Sequence, residues 1–206
     1  IDNAVEHVEF DLFTLSRADF ELLWLCLQRD NLLGGIPKKV KAESLQQEEK
    51  ITKLLYKDYS TFKSALWQDL CTNHPEHDKL QLYKKSQKLL DRFLFVLFSE
   101  DKGLLPPNSI REIADQWEKL KDLDAYVPLY DRFQKYFGYL NTGHKGKFHD
   151  IFAYNGGLFK PDELLDNVRI SDEVLHPHLL QLSKYDFGSE VDVNILGHIF
   201  EHSLNE

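Results

Sequence analysis

Apolar residues recur along this chain at two spacings, and the switch between them sets the expected architecture. From 5 to 15, VEHVEFDLFTL, they come close to alternation, which predicts a short edge strand or an extended arm. From Ser16 onward the spacing is helical. Ser16 and Asp19 have the form of a capping box, and Phe20, Leu23, Trp24 and Leu27 follow on one helix face. That helix is expected to end near Asn31, with Gly34, Gly35 and Pro37 as breakers. A long amphipathic stretch over 43–72 then sets Ile51, Leu54, Leu55, Phe62, Leu66 and Leu70 against a Gln, Glu and Lys face. Asn73-His74-Pro75 interrupts it, and a second long helix is predicted over 79–99. Its end, Leu89 to Phe98, is apolar almost all round and so belongs at the centre of a core.

The loop Gly103-Leu104-Leu105-Pro106-Pro107 closes that helix. Ser109 and Glu112 repeat the capping signature ahead of Ile110, Ile113 and Trp117, and another helix is expected over 127–140. Gly138, Gly143 and Gly146 loosen the chain next. Within 148–159, Asn155-Gly156 between apolar flanks is a turn signal compatible with a small hairpin. Two more helices are expected, one begun by Ser171 and one begun by Ser189 and running through Ile195, Leu196, Ile199, Phe200 and Leu204. The pattern therefore predicts an all-α, multi-helix domain with at most a short β-pair. Its expected divisions are a tail at 1–15, a helical body at 16–188 and a further helix at 189–206.

Composition sharpens this picture. Apolar residues make up 42% of the 206 and aromatic residues 13%, enough for a real core and far from the signature of disorder. No window is apolar enough to span a bilayer, so no membrane partner is expected, and the location expected is the cytoplasm of a bacterium or archaeon. Cys26 and Cys71, flanked by leucines, read as two buried thiols of a reducing compartment. The chain starts at Ile1 and holds no methionine, which leads us to expect a piece of a longer protein.

The net charge of -9 is uneven: 160–206 carries ten acidic residues against three basic ones, a net of -7, which leaves -2 for 1–159. Duplex binding draws on Lys and Arg neutralising phosphates, so any DNA contact is expected in the first three quarters of the chain. The densest basic stretches are Lys38, Lys39 and Lys41, and then Lys84, Lys85, Lys88 and Arg92 with Tyr83 among them. The second group is a candidate for DNA-backbone contacts, and a solvated helix face offset by Asp78 and Asp91 is the competing reading.

Other candidate chemistry is sparse. His74 and His77, His176 and His178, and His198 and His202 are imidazole pairs, but none has the accompanying set that a closed zinc site needs, and no metal ligand is assigned. Glu100-Asp101 and Asp122 with Asp124 offer paired carboxylates of the kind that glycosidases and metal nucleases use. No Walker loop, strand-linked G-x-G-x-x-G or G-x-S-x-G elbow occurs, so no catalytic and no cofactor-binding residue is assigned.

Three segments in order, Arg92-Phe-Leu-Phe-Val-Leu-Phe-Ser-Glu-Asp-Lys-Gly-Leu-Leu-Pro106, Tyr154-Asn-Gly-Gly-Leu-Phe159 and Val193-Asn-Ile-Leu-Gly-His-Ile-Phe-Glu201, resemble the helical spacer of type IIG restriction-modification enzymes and related phage-defence adenine methyltransferases. The resemblance covers roughly 10–206. It implies a longer parent protein in which a nuclease domain precedes the spacer and an N6-adenine DNA methyltransferase follows it. Mg and S-adenosylmethionine would be bound outside these residues, and the DNA partner would be engaged through the parent. The resemblance further implies that Gly156, Gly157, Leu158 and Phe159 form a turn packed against the methyltransferase, and that Gly197, Phe200 and Glu201 lie on the helix leading into it. Close packing at Gly197 is expected to leave no room for a Cβ. The function expected is a structural connector that does no chemistry itself, with a free-standing helical protein-interaction module and a metal hydrolase using the His pairs as alternatives.

Overall fold

In the computed structural model the described residues are 10–146, 149–154, 156–188, 191, 197 and 199. The fold is all-α, as the spacing predicts. The described helices are α1 (Arg17–Leu27), α2 (Arg29–Leu33), α3 (Ile36–Asn73), α4 (Lys79–Asp101), α5 (Ser109–Asp122), α6 (Leu129–Thr142) and α7 (Asp172–Leu182). An antiparallel bridge, His144 with Ile151, is the β pairing among the described residues. The Asn-Gly turn signal at 155 and 156 closes no described hairpin. The arm expected at 5–15 lies partly outside the described residues, and where it is described it makes a turn instead of a strand. Asp11 closes that turn, its carboxylate accepting from the Phe13 N–H and the Thr14 hydroxyl. The helix expected at 189–206 also lies mostly outside the described residues, which include helical Gly197 and Ile199.

The chain divides into two compact units, Ile1–Lys50 and Ile51–Glu206. In the first, the capping box at Ser16 and Asp19 forms as its spacing predicts. Gln28 interrupts the helix earlier than Gly34 does: its side chain accepts from Asn31 N–H and restarts the chain as α2. Pro37 does not break α3. It sits in that helix's first turn, where its missing N–H has no intrahelical partner to lose. Neither α1 nor α2 has a buried residue, and Phe20, Trp24 and Leu27 are exposed.

In the second unit the 51–73 part of α3 and α4 run antiparallel, each about 35 Å long. Trp67 Nε1 donates to the Lys79 carbonyl near their turn, and further along Gln87 Nε2 donates to the Tyr59 hydroxyl. Leu55, Phe62, Leu66 and Leu70 are buried as the amphipathic pattern requires, Ile51 is half-buried, and Leu54 instead stands 55% exposed. The apolar end of α4 does occupy the core. Phe93 is its hub, with ring centroids 5.1 Å from Phe133 and 5.4 Å from Phe137 of α6, and 6.4 Å from Phe62 of α3.

Three helix starts in this unit are closed by carboxylates from distant sequence. Helices α5, α6 and α7 have no side-chain bond from their own N-cap residue. Ser109, expected to cap α5, donates its hydroxyl to Pro106 O, and the Ile110 N–H is met by Glu100 of α4 at 3.4 Å. Asp172 of α7 accepts from Leu129 N at the start of α6 at 2.8 Å and from the Tyr126 hydroxyl. Asp69 of α3 accepts from both the N–H and the hydroxyl of Ser171 ahead of α7. At the other end of α7, Arg111 donates to the Ser183 carbonyl, where a cation suits the unpaired C-terminal carbonyls.

Candidate functional site

The basic stretch of α4 is built around one carboxylate. Asp162, 6% exposed, accepts from Lys85 Nζ at 2.6 Å and from Lys88 Nζ at 2.8 Å, and its second oxygen reaches the Leu165 N–H. Burial alone would raise this carboxyl, but the two ammonium groups and the N–H outweigh it and hold the group well below the ordinary carboxylate range. One turn on, Arg92 is 2% exposed. Its Nε donates to Leu158 O at 2.8 Å, its Nη2 donates to Lys160 O at 2.9 Å, and its guanidinium lies over the Phe137 ring.

Of the four candidate DNA contacts, Arg92 is therefore turned inward onto backbone carbonyls, Lys85 and Lys88 are half-buried and share an anion, and Lys84 is exposed. Sequence reading grouped them by proximity. The separation of roles depends on Asp162, 77 residues from Lys85, which no local pattern shows.

The partner of this cluster is the segment 158–171, which is held on every side although it contains no long helix. Besides Arg92 and the two lysines, Tyr130 and Gln134 both donate to Leu165 O. Arg169 N–H donates to His74 Nε2 at 2.7 Å. Phe159, Leu165, Val168 and Ile170 are buried beneath. Phe159 packs edge-on to Phe95 at 5.2 Å and against Phe137 at 5.7 Å, so its ring is already covered within this unit.

Gly156, Gly157 and Leu158 do lead into a turn, with Lys160 N–H reaching Gly157 O. Both glycines are exposed, and a Cβ at either would meet open space. A Cβ at Gly197 likewise meets nothing within 4 Å among the described residues. Phe200 and Glu201 lie outside the described residues.

His74, Glu76 and His77 bring possible ligand atoms within 4.8 Å of one another. His74 Nε2 accepts the Arg169 N–H at 2.7 Å and lies 3.3 Å from the Arg169 carbonyl, and Nδ1 faces Glu76 at 3.2 Å, so both ring nitrogens already have neighbours within the protein. His176 approaches Glu118 and the Trp117 ring, whereas His178 stacks on Phe62 and burial pushes its pKa down. His198 and His202 lie outside the described residues.

Glu100 caps α5, Asp101 accepts from Phe187 N–H, and Asp122 and Asp124 are exposed. Cys26 and Cys71 are unpaired and half-buried, not fully buried as expected. A cleft of about 370 Å³ is lined by Glu112, Ile113, Arg132, Lys135, Tyr136 and His149 among others, a mixed set of charged, aromatic and aliphatic groups. Among the described residues no helix is long and apolar enough to cross a membrane.

Comparison with known proteins gives one relative. The chain is 28% identical over 155 aligned positions, covering 64% of its length, to a protein of Methanocaldococcus jannaschii named as a candidate type II restriction enzyme and methyltransferase. That stretch is 13% of the relative, so the chain corresponds to about an eighth of it. No family model matches the chain, and no solved structure matches it.

Proposed function

We propose that this chain is a rigid helical connector within a larger DNA restriction-modification protein, setting the spacing and orientation of nuclease and adenine-methyltransferase domains on DNA while doing no chemistry itself. The observation that carries the reading is the similarity to a small part of a protein named for both restriction and methylation. The packing of the second unit supports it. Carboxylates from α3, α4 and α7 close the starts of other helices, and Arg92, Lys85 and Lys88 clamp a segment some seventy residues away. Cross-links of this kind make relative movement of the helices costly, because each would leave a buried polar group without a partner. S-adenosylmethionine and magnesium belong, on this reading, to the flanking catalytic domains.

The test is direct. Purified chain incubated with DNA, labelled S-adenosylmethionine and magnesium is expected to transfer no methyl group and make no cut, and methyl transfer by the chain alone would overturn the reading. A second reading, a helical protein-interaction module, is favoured by α1, whose Phe20, Trp24 and Leu27 are exposed.

A further inference from the structure

The geometry points to the turn between α3 and α4 as a site for a divalent transition-metal ion of the zinc class, held by His74 Nδ1, a Glu76 carboxylate oxygen and His77 Nε2. This site lies beyond the connector reading and is independent of it.

The ligands follow one another as His74-Pro75-Glu76-His77, between the end of α3 at Asn73 and the start of α4 at Lys79. The His77 N–H donates to the His74 carbonyl at 3.2 Å and folds the chain back, which leaves the two imidazole rings 6.1 Å apart between centroids. The carboxylate stands between them. Glu76 Oε1 is 3.2 Å from His74 Nδ1 and 3.7 Å from His77 Nε2, and one ligand atom from each of the three residues lies within 4.8 Å of the other two. A tetrahedral ion with bonds of about 2.0–2.1 Å spaces its ligand atoms by about 3.3 Å. Two edges are thus near the required length, and turning the exposed His77 ring closes the third.

His74 is the least exposed of the three, its side chain at 14% against 39% for His77 and 60% for Glu76. Its far nitrogen, Nε2, faces one residue of the 158–171 segment. Arg169 offers that nitrogen both a donor, its N–H at 2.7 Å, and an acceptor, its carbonyl at 3.3 Å. A ring protonated on Nδ1 is held by the N–H. A ring protonated on Nε2 is held by the carbonyl and turns an Nδ1 lone pair toward Glu76 and the ion. The second arrangement is the one that steadies metal-binding histidines in general, the free ring N–H donating to a backbone carbonyl. Arg169 is exposed, so water can take the N–H that this exchange releases.

The neighbouring charges have other tasks. Asp78 caps α4 through the Gln81 N–H, and Lys85 is engaged by Asp162, while Lys79 and Arg169 are exposed. On its outer side His77 lines, with Gln81, Lys85 and Asn167 among others, a hollow of about 600 Å³ that leaves room for water as the fourth ligand. Two imidazoles and one carboxylate suit zinc and its transition-metal neighbours, whereas magnesium and calcium take oxygen ligands.

The experiment uses the whole chain, free of any affinity tag, titrated with zinc chloride by calorimetry and followed by NMR of the histidine ring nitrogens and backbone amides. Saturable binding at micromolar zinc is expected, with the His74 proton moving to Nε2 and the Arg169 amide signal shifting. Glu76→Gln and His77→Ala, both at exposed positions of the turn, are each expected to weaken zinc binding by about tenfold or more. His198→Ala with His202→Ala, the other imidazole pair close in sequence to a helical spacing, leaves it unchanged. The inference is overturned by the absence of saturable zinc binding, by equal affinity in the wild type and both turn variants, by an Arg169 amide that does not move on loading, or by magnesium binding as tightly as zinc. None of these results bears on the connector reading, which is contradicted by methyl transfer from the isolated chain.

Discussion

Arg92 on α4 donates its Nε–H to the carbonyl of Leu158 at 2.8 Å, and its second nitrogen reaches Lys160 O, so two stretches separated by more than sixty residues are fastened at one guanidinium. Phe95, three residues further along α4, stacks edge-on against both Tyr154 and Phe159. The two segments 92–106 and 154–159, which carried the family resemblance, are therefore packed together through these described residues. Replacing Arg92 with Met leaves two part-buried carbonyls without this donor and is expected to cost about 2 kcal/mol. Lys at this position keeps the charge but not the fork, and should recover only part of that stability. Thermal denaturation checks both, and a Met variant as stable as the wild type would show that the carbonyls are solvated by other means.

Asp162 gives an acid-limb prediction. Its folded pKa lies below the ordinary value of 3.8, so its contribution to stability is fully present above about pH 4 and is lost as pH falls through the folded value. Asp162→Asn removes the anion beneath Lys85 and Lys88 and should destabilise at neutral pH by about 2 kcal/mol, discounted because both lysines are partly solvated. The variant should also show a flatter stability profile below pH 4. Parallel wild-type and variant curves in that range would mean that the clamp contributes nothing.

Glu100 works in the opposite direction. Burial raises its carboxyl to about 7 despite the N–H groups of Ile110 and Ser109, which favour the charged form. An acid whose folded pKa lies above its unfolded value costs stability as pH rises from about 4.5 through 7, since the unfolded chain ionises first. Glu100→Gln keeps an acceptor for Ile110 N–H without the charge. It should match the wild type at pH 4 and exceed it at pH 8 by up to about 3 kcal/mol. Chemical denaturation at the two pH values decides, and a variant weaker at pH 8 would show that the ionised carboxylate is the better cap.

How far the sequence foretold this depends on the range of each interaction. The Ser16–Asp19 capping box was legible because both partners lie within one turn, and the buried run Leu89 to Phe98 because an all-round apolar helix has nowhere else to go. Ser109 shows the limit of local rules. It has the capping form, yet its hydroxyl found Pro106 O, and the start of α5 was left to Glu100.

The clamps escaped for the same reason. Asp69 meets Ser171 across 102 residues and Lys85 meets Asp162 across 77, separations over which spacing carries no information. Leu54 fits the apolar stripe of α3 and is nevertheless exposed. Amphipathic spacing identifies a face but does not show how far along the helix its cover extends.

The central claim is that the second unit moves as one stiff body. With Cys26 and Cys71 replaced by Ser, spin labels at the exposed positions Lys57 on α3 and Lys119 on α5 allow their separation to be measured by double electron–electron resonance. A single narrow distance distribution, the same with and without DNA, is the predicted result. A broad or two-peaked distribution would contradict the account, since a connector that bends between these helices cannot set the geometry of its neighbours.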